Sequence, residues 1–159
     1  MSEAVTPSSQ AARALVREAA SASLGSICDD GAPYVSLVAV VDDGSGRPLF
    51  LLSGLAEHTR NLRARPQASV LITEGSGTTM NRARVTLCGA LVWLEGADAT
   101  RAKETFVAAN PEARVWAALP DFAPARLDVR AVRYVGGFAR AASVSAEDYL
   151  AVTQAARAT

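Results

Sequence analysis

The first half of the chain alternates short apolar runs with polar breaks. "ASLGSIC", "YVSLVAVV" and "LFLLS" are separated by "DDGAP" and "DDGSGRP". Asp-Gly and Gly-Pro clusters of this kind turn a chain between strands. The pattern predicts an antiparallel meander with strands near 23–28, 34–41 and 48–53. Upstream, residues 8–20 predict a helix with Leu15 and the alanines on one weak apolar face and Ser8 or Ser9 as its cap. Downstream, a short helix is predicted from Leu55 to Ala64, where Pro66 would end it. "QASVLIT" reads as a fourth strand, "EGSGTTMN" as a loop, and "RARVTLCGALVWLE" as a fifth strand with a bulge or bend at Gly89. "DATRAKETFVAAN" then predicts a helix ended by Pro111, and "EARVWAAL" a further short helix. "RLDVRAVRYVGGFARA" gives one or two closing strands. "SAEDYLAVTQAARA" gives a final helix with Ser145 and Asp148 in capping-box positions. Hairpins rather than β-α-β units imply an antiparallel sheet that closes on itself. The expected class is α+β, mainly β: a small barrel with peripheral helices, one domain over residues 1–159.

Composition narrows the function classes. Half of the 159 residues are hydrophobic, and 16 basic residues balance 16 acidic ones. That balance lacks the basic footprint of a nucleic-acid binder. No apolar run is long enough to span a membrane. The polar start "MSEAVTPSSQ" lacks the apolar centre of a signal peptide. A cytoplasmic protein without nucleic-acid or membrane partners is expected. Cys28 and Cys88 match no metal-ligand spacing, and both lie in apolar segments that read as housing buried free thiols.

The candidate chemistry lies between two apolar runs, where Ser53, His58, Thr59 and Asn61 fall close together; His58 is the only histidine. Alternation puts Tyr34, Ser36, Val38 and Val40 on one face of the second strand, with Val35, Leu37, Ala39 and Val41 on the other. Both faces are largely apolar, so the strand is expected to be covered on both sides. A helix start exposes unpaired N–H groups with partial positive charge, which suits a phosphate. Hydroxyls of Ser36, Ser53 and Thr59 would add hydrogen bonds, and a nearby Arg or a protonated His58 would add charge. The plainer alternative is an ordinary Ser-Gly cap with solvated polar residues beyond it. No Walker loop, zinc signature, nucleophile elbow or dinucleotide fingerprint competes.

"GAPYVSLVAVVDDGSGRPLFLLSGLAEHTRNLRARPQASVLI" followed by "RVTLCG" resembles the pyridoxamine 5′-phosphate oxidase-related proteins, which are FMN-binding split barrels. Within them the chain is most similar to the haem-utilisation (HugZ-type) branch. Its "S-x-L-A-x-H-T-x-N" segment stands here as Ser53 to Asn61, and its "G-G-F-x-R-A" as Gly136 to Ala141. The likeness runs roughly from Ala11 to Leu150. It implies an antiparallel split barrel, FMN bound between the subunits of a homodimer, and flavin-dependent oxidoreduction of an unknown small molecule. Ser36 falls where the family has an FMN-contacting strand residue, with Tyr34 and Val38 on the same face. Leu52 and Ser53 fall at the strand end beside the flavin. His58 and Thr59 fall where the oxidases hold the phosphate with an Arg-Lys pair. Asn61 belongs to the branch motif, and Arg84 stands where the oxidases have a flavin-contacting Gln. No catalytic residue and no metal site is implied. "VRYVGGFARA" replaces the Arg-x-His segment with which the oxidases hold pyridoxal phosphate, so pyridoxamine phosphate oxidation is not expected. Haem-utilisation members carry a further C-terminal domain, so haem breakdown is not expected of these residues either. The alternatives are a flavin binder without turnover, a haem binder with His58 as axial ligand, and use of a deazaflavin.

Overall fold

A computed structural model describes residues 5–75 and 78–152. Helix α1 (Pro7–Glu18) precedes strands β1 (Ser21–Ile27), β2 (Pro33–Ala39), β3 (Val41–Asp42) and β4 (Pro48–Ser53). Helix α2 (Glu57–Ala64) leads to β5 (Gln67–Thr73) and β6 (Arg84–Trp93). Helix α3 (Gly96–Ala109), a 3-10 turn (Pro111–Ala113) and α4 (Arg114–Ala117) follow. Then come β7 (Phe122–Val135), β8 (Ala141–Val144) and α5 (Ala146–Ala151).

All pairings among the described strands are antiparallel. The strand order is β2-β1-β5-β6-β7-β4-β3, with β8 on β7. Strands β2 and β3 stand at opposite ends of this order, yet only Val40 separates them in the chain. The sheet must therefore curl until its two edges nearly meet, which makes the expected barrel. The expected strand 34–41 divides at this corner: Val40 N–H still donates to the Ala20 carbonyl at 3.2 Å, in line with the β1–β2 register, and Val41 then pairs with Leu49 of β4.

Strand β5 buries Ala68, Val70 and Ile72 and exposes the residues between them. Strand β7 changes phase midway. Ala125, Leu127 and Val129 point inward, and so does Val132 three residues later. Opposite Cys88 and Gly89 the register slips, leaving Arg130 without a partner on β6. That is a bulge, with its extra residue on β7. A Cβ on Gly89 would sit 1.9 Å from the Asp128 carbonyl oxygen, so the two backbones meet where only glycine fits. Gly89→Ala is expected to cost about 1–3 kcal/mol, read as a lower urea midpoint. An unchanged midpoint would contradict the close approach.

The main core joins these inward residues to Phe50, Leu52, Val38 and Leu62, with Ala12 and Val16 of α1 and Tyr149 of α5. Strand β4 is buried on both faces. Its other side sends Leu49 and Leu51 into a second cluster with Ala102, Phe106, Ala113 and Ala117. Trp116 stacks edge-on to Phe106 at 5.7 Å there.

Several local expectations change. Thr6, not Ser8 or Ser9, caps α1; its hydroxyl accepts from Ser9 N, and Pro7 occupies the first turn, where no N–H is needed. Strand β7 begins at Phe122, because Pro124 sits inside it where a missing donor is tolerated. Ser145 caps α5 by accepting from Asp148 N; residues 153–158 of the expected helix lie outside the described residues. Cys88 is exposed rather than buried, because it shares the outward side of β6 with Thr86 while Val85 and Leu87 point in. Val35 and Leu37 are 66% and 78% exposed, so the described residues do not cover the outer side of β2. Among the described residues no helix is long and apolar enough to cross a membrane.

Candidate functional site

Helix α2 lies over the inward side of the β1–β2 end of the sheet. Leu62 anchors it in the main core. Asn61 is buried, and its Nδ2 donates to Ser26 Oγ at 3.1 Å and approaches Cys28 Sγ at 3.7 Å. Arg63 stacks over the Trp93 ring at 4.3 Å, and Arg65 reaches Asp29 at 3.1 Å. With α2 held along its C-terminal half, its first turn presents His58 one helical turn before Asn61. There His58 Nδ1 and Ser36 Oγ are 2.9 Å apart.

The loop into α2 is tied to the segment before β7. Ser53 Oγ donates to Asp121 Oδ2 at 2.9 Å and accepts from Leu55 N, and Gly54 N donates to the Asp121 carbonyl at 2.7 Å. Ser53 thus serves the loop and not the helix cap. The N-cap is Ala56, which offers no side-chain bond. Among the described residues the N–H groups of Glu57 and His58 have no acceptor, and the buried Thr59 hydroxyl has no partner.

The expected site residues divide into three groups. Ser36, His58, Thr59 and Asn61 come together around α2, and Tyr34 lies half-buried on the same side of β2 as Ser36. Val38 and Leu52 are core residues, the latter 2% exposed, so their side chains serve packing. Arg84 lies apart. It pairs with Thr73 at the far end of β5 and β6, and its Nη1 donates to the Arg82 carbonyl. Sequence reasoning missed Ser26, Cys28 and Asp121. The inward phase of Ala22, Leu24 and Ser26 was a readable signal for Ser26; nothing local marks Asp121.

Electrostatics favour a neutral site. Burial holds the His58 imidazole below its ordinary value of 6.5. The expected protonated His58 is therefore disfavoured at neutral pH. The Glu57 carboxylate stands in the first turn of α2 and takes the nearby Arg60 as its own ion-pair partner. Asp121 stands behind Ser53. These carboxylates oppose a second anion. A neutral imidazole with Nδ1 fixed by a hydroxyl is instead the form that donates a lone pair to a metal. In the tautomer with hydrogen on Nδ1, that N–H donates to Ser36 Oγ. The lone pair then stays on Nε2, which has no partner among the described residues.

With that geometry in place, the comparisons with known proteins define the class. Residues 3–151 match the model of the CREG β-barrel family, and the chain belongs to that family. It is 33% identical over 126 residues to the non-canonical haem oxygenase HOZ of Arabidopsis thaliana chloroplasts, covering 74% of this chain and 39% of that protein. A haem-binding protein from Mycobacterium smegmatis superposes with a TM-score of 0.86 at 30% identity, covering 94% of this chain and 62% of the other. The chain thus spans less than two thirds of either relative. A general stress protein 26-related member of the pyridoxinephosphate oxidase family from Clostridium acetobutylicum shares the fold, with a TM-score of 0.68 at 12% identity, 89% of this chain and 96% of that one. The split-barrel fold and the kinship with haem-utilisation proteins, both read from the sequence, are shown.

Proposed function

We propose that this protein binds haem, with His58 Nε2 as the ligand to iron. One observation carries the reading: the only imidazole in the chain is neutral, half-buried, oriented by Ser36 and open at its second nitrogen. The names of the Arabidopsis and mycobacterial relatives support it. Bound haem supplies iron-centred redox and oxygen chemistry; the residues here hold and orient it. Ser36 holds the orientation of the ring, and Asp121 and Asn61 fix the loop and helix that carry His58.

FMN is the second reading, favoured by the open N–H groups of Glu57 and His58 and the unpartnered Thr59 hydroxyl, which together resemble a phosphate cradle. The absorbance of the protein titrated separately with haemin and with FMN tests both. The haem reading expects a saturable Soret band with haemin and no flavin binding. A protein that takes up FMN and leaves haemin unbound would replace it.

A homodimer belongs to the same proposal. Val35, Leu37, Ser23, Leu71 and Cys88 share the outward side of β2, β1, β5 and β6, and Leu37, Ser23 and Leu71 are cross-strand neighbours. A large uncovered apolar strand face is where a second copy docks. Leu37→Glu is expected to turn a dimer into a monomer in light scattering. A wild-type monomer would end this part of the account.

A further inference from the structure

A cavity of about 270 Å³ lies between α3 and the outer side of β4 and β7, where Asp43, Asp98, Arg101 and Arg126 meet over Leu49 and Ala102. We propose that it binds a small α-amino acid as its zwitterion, with the carboxylate on Arg126 and the ammonium on Asp43. This site stands apart from His58, and the inference does not rest on the haem reading.

The strand register brings the parts together. Arg126 of β7 stands between Leu49 of β4 and Val92 of β6. Directly opposed residues share one face of an antiparallel pair. Leu49 is buried in the second cluster, so Arg126 lies on that outer side of the sheet. Asp98, Arg101, Ala102 and Thr105 recur at helical spacing along α3. Ala102 is buried in the same cluster as Leu49, which turns this stripe toward the sheet. Asp43 enters from the turn after β3. Leu49 stands near the start of β4, whereas Ser53 at its far end leads to α2 and His58. The two sites share no residue.

The charges here face one another without completing a hydrogen bond. Arg126 Nη1 is 3.8 Å from Asp43 Oδ2, beyond hydrogen-bond reach. Asp43 Oδ1 accepts from Ser45 N, Ser45 Oγ and Arg47 N, while Oδ2 accepts no hydrogen bond among the described residues. The Arg126 guanidinium likewise donates none there. Its Nε is enclosed without an acceptor, which leaves the two Nη groups for a ligand. Two N–H groups side by side match the two oxygens of a carboxylate. In an α-amino acid the ammonium sits next to that carboxylate and reaches Asp43 Oδ2 at the same time. One ligand carrying both charges thus supplies the acceptor that Arg126 lacks and the donor that Asp43 lacks. Asp98 and Arg101 pair with each other on the facing wall. Two carboxylates and two guanidiniums leave the cavity neutral overall, which suits a zwitterion better than a lone anion or a lone cation. The floor of Leu49 and Ala102 is apolar and buried. The volume lies just below the range of about 300–1,000 Å³ typical of small-molecule pockets, so it suits a small side chain.

The test is calorimetric titration of the full chain with L-alanine, and separately with acetate and methylamine, each of which carries only one of the two charges. L-Alanine is expected to give a saturable heat and to bind more tightly than either fragment. Arg126→Gln should weaken L-alanine by roughly ten- to a hundredfold. Arg126→Lys should weaken it too, because Lys keeps the charge and loses the paired donors. Asp43→Asn keeps an acceptor oxygen for the turn, and is expected to remove the preference for L-alanine over acetate. The wild-type comparison stands whether or not a variant folds: no heat with L-alanine, or acetate binding as tightly as L-alanine, would overturn the inference. An unchanged affinity in an Arg126→Gln chain with the wild-type urea midpoint would overturn it as well.

Discussion

His58→Ala is expected to abolish the saturable Soret band that haemin develops with the wild type. No other histidine exists to replace the ligand. Removing a group that merely orients a metal-bound imidazole costs about 10–100-fold in affinity, so loss of the imidazole itself should exceed about a hundredfold. Ser36→Ala should fall within that smaller range, because it frees the rotation of the ring without removing it. Acid has a parallel effect. Burial lowers the His58 pKa below 6.5 in the folded, ligand-free chain, while the unfolded chain keeps the ordinary value. Haem affinity should therefore hold at neutral pH and fall only where the pH drops through this lowered folded-state value. Folding stability falls earlier, from about pH 6.5 down through the lowered folded-state pKa, because the unfolded state binds more protons in that window. A Soret titration of His58→Ala that matches the wild type would remove His58 from the account.

The largest expected stability effect lies away from this site, at Arg13. Its guanidinium is 1% exposed and pairs with Asp42 at 2.9 Å. It also lies over the Tyr149 ring, with its carbon 5.5 Å from the ring centre. Tyr149 in turn donates its hydroxyl to the Gly46 carbonyl at 2.5 Å. Burial pushes the Tyr149 phenol well above its ordinary value, so it stays a neutral donor. This network ties α1, the turn between β3 and β4, and α5 together across one end of the barrel. Arg13→Ala would leave the Asp42 carboxylate buried with only the Gly44 and Gly46 N–H groups as donors. Breaking such a buried pair costs about 3–5 kcal/mol. Urea unfolding should show it, and a loss below about 1 kcal/mol would mean that water enters the site and solvates Asp42.

What was readable beforehand follows from how local each cause is. The alternation in "QASVLIT" specifies β5 and its buried face because period-two patterning needs no distant partner. The turn clusters around Gly31 and Gly44 specify the hairpins in the same way, since both glycines have positive φ. The bulge at Arg130 left no such trace, since it depends on β7 and β6 meeting at Gly89. Without it the inward phase of Val132 cannot be read from that of Val129. Cys88 was misread for a related reason: "VTLCGALVW" is apolar at nearly every position, so composition could not say which residues face out. The polar cluster around His58 was visible as a motif. Its chemistry was not, because the Ser36 contact spans 22 positions and the Asp121 contact 68. Those contacts fix where the His58 ring sits, and its burial favours the neutral imidazole.

The most direct measurement of the central claim is resonance Raman spectroscopy of the reduced haem complex, in the region of the iron–imidazole stretch. The account predicts such a band in the wild type and its disappearance in His58→Ala. A wild-type complex that forms without an iron–imidazole band would show that His58 is not the ligand.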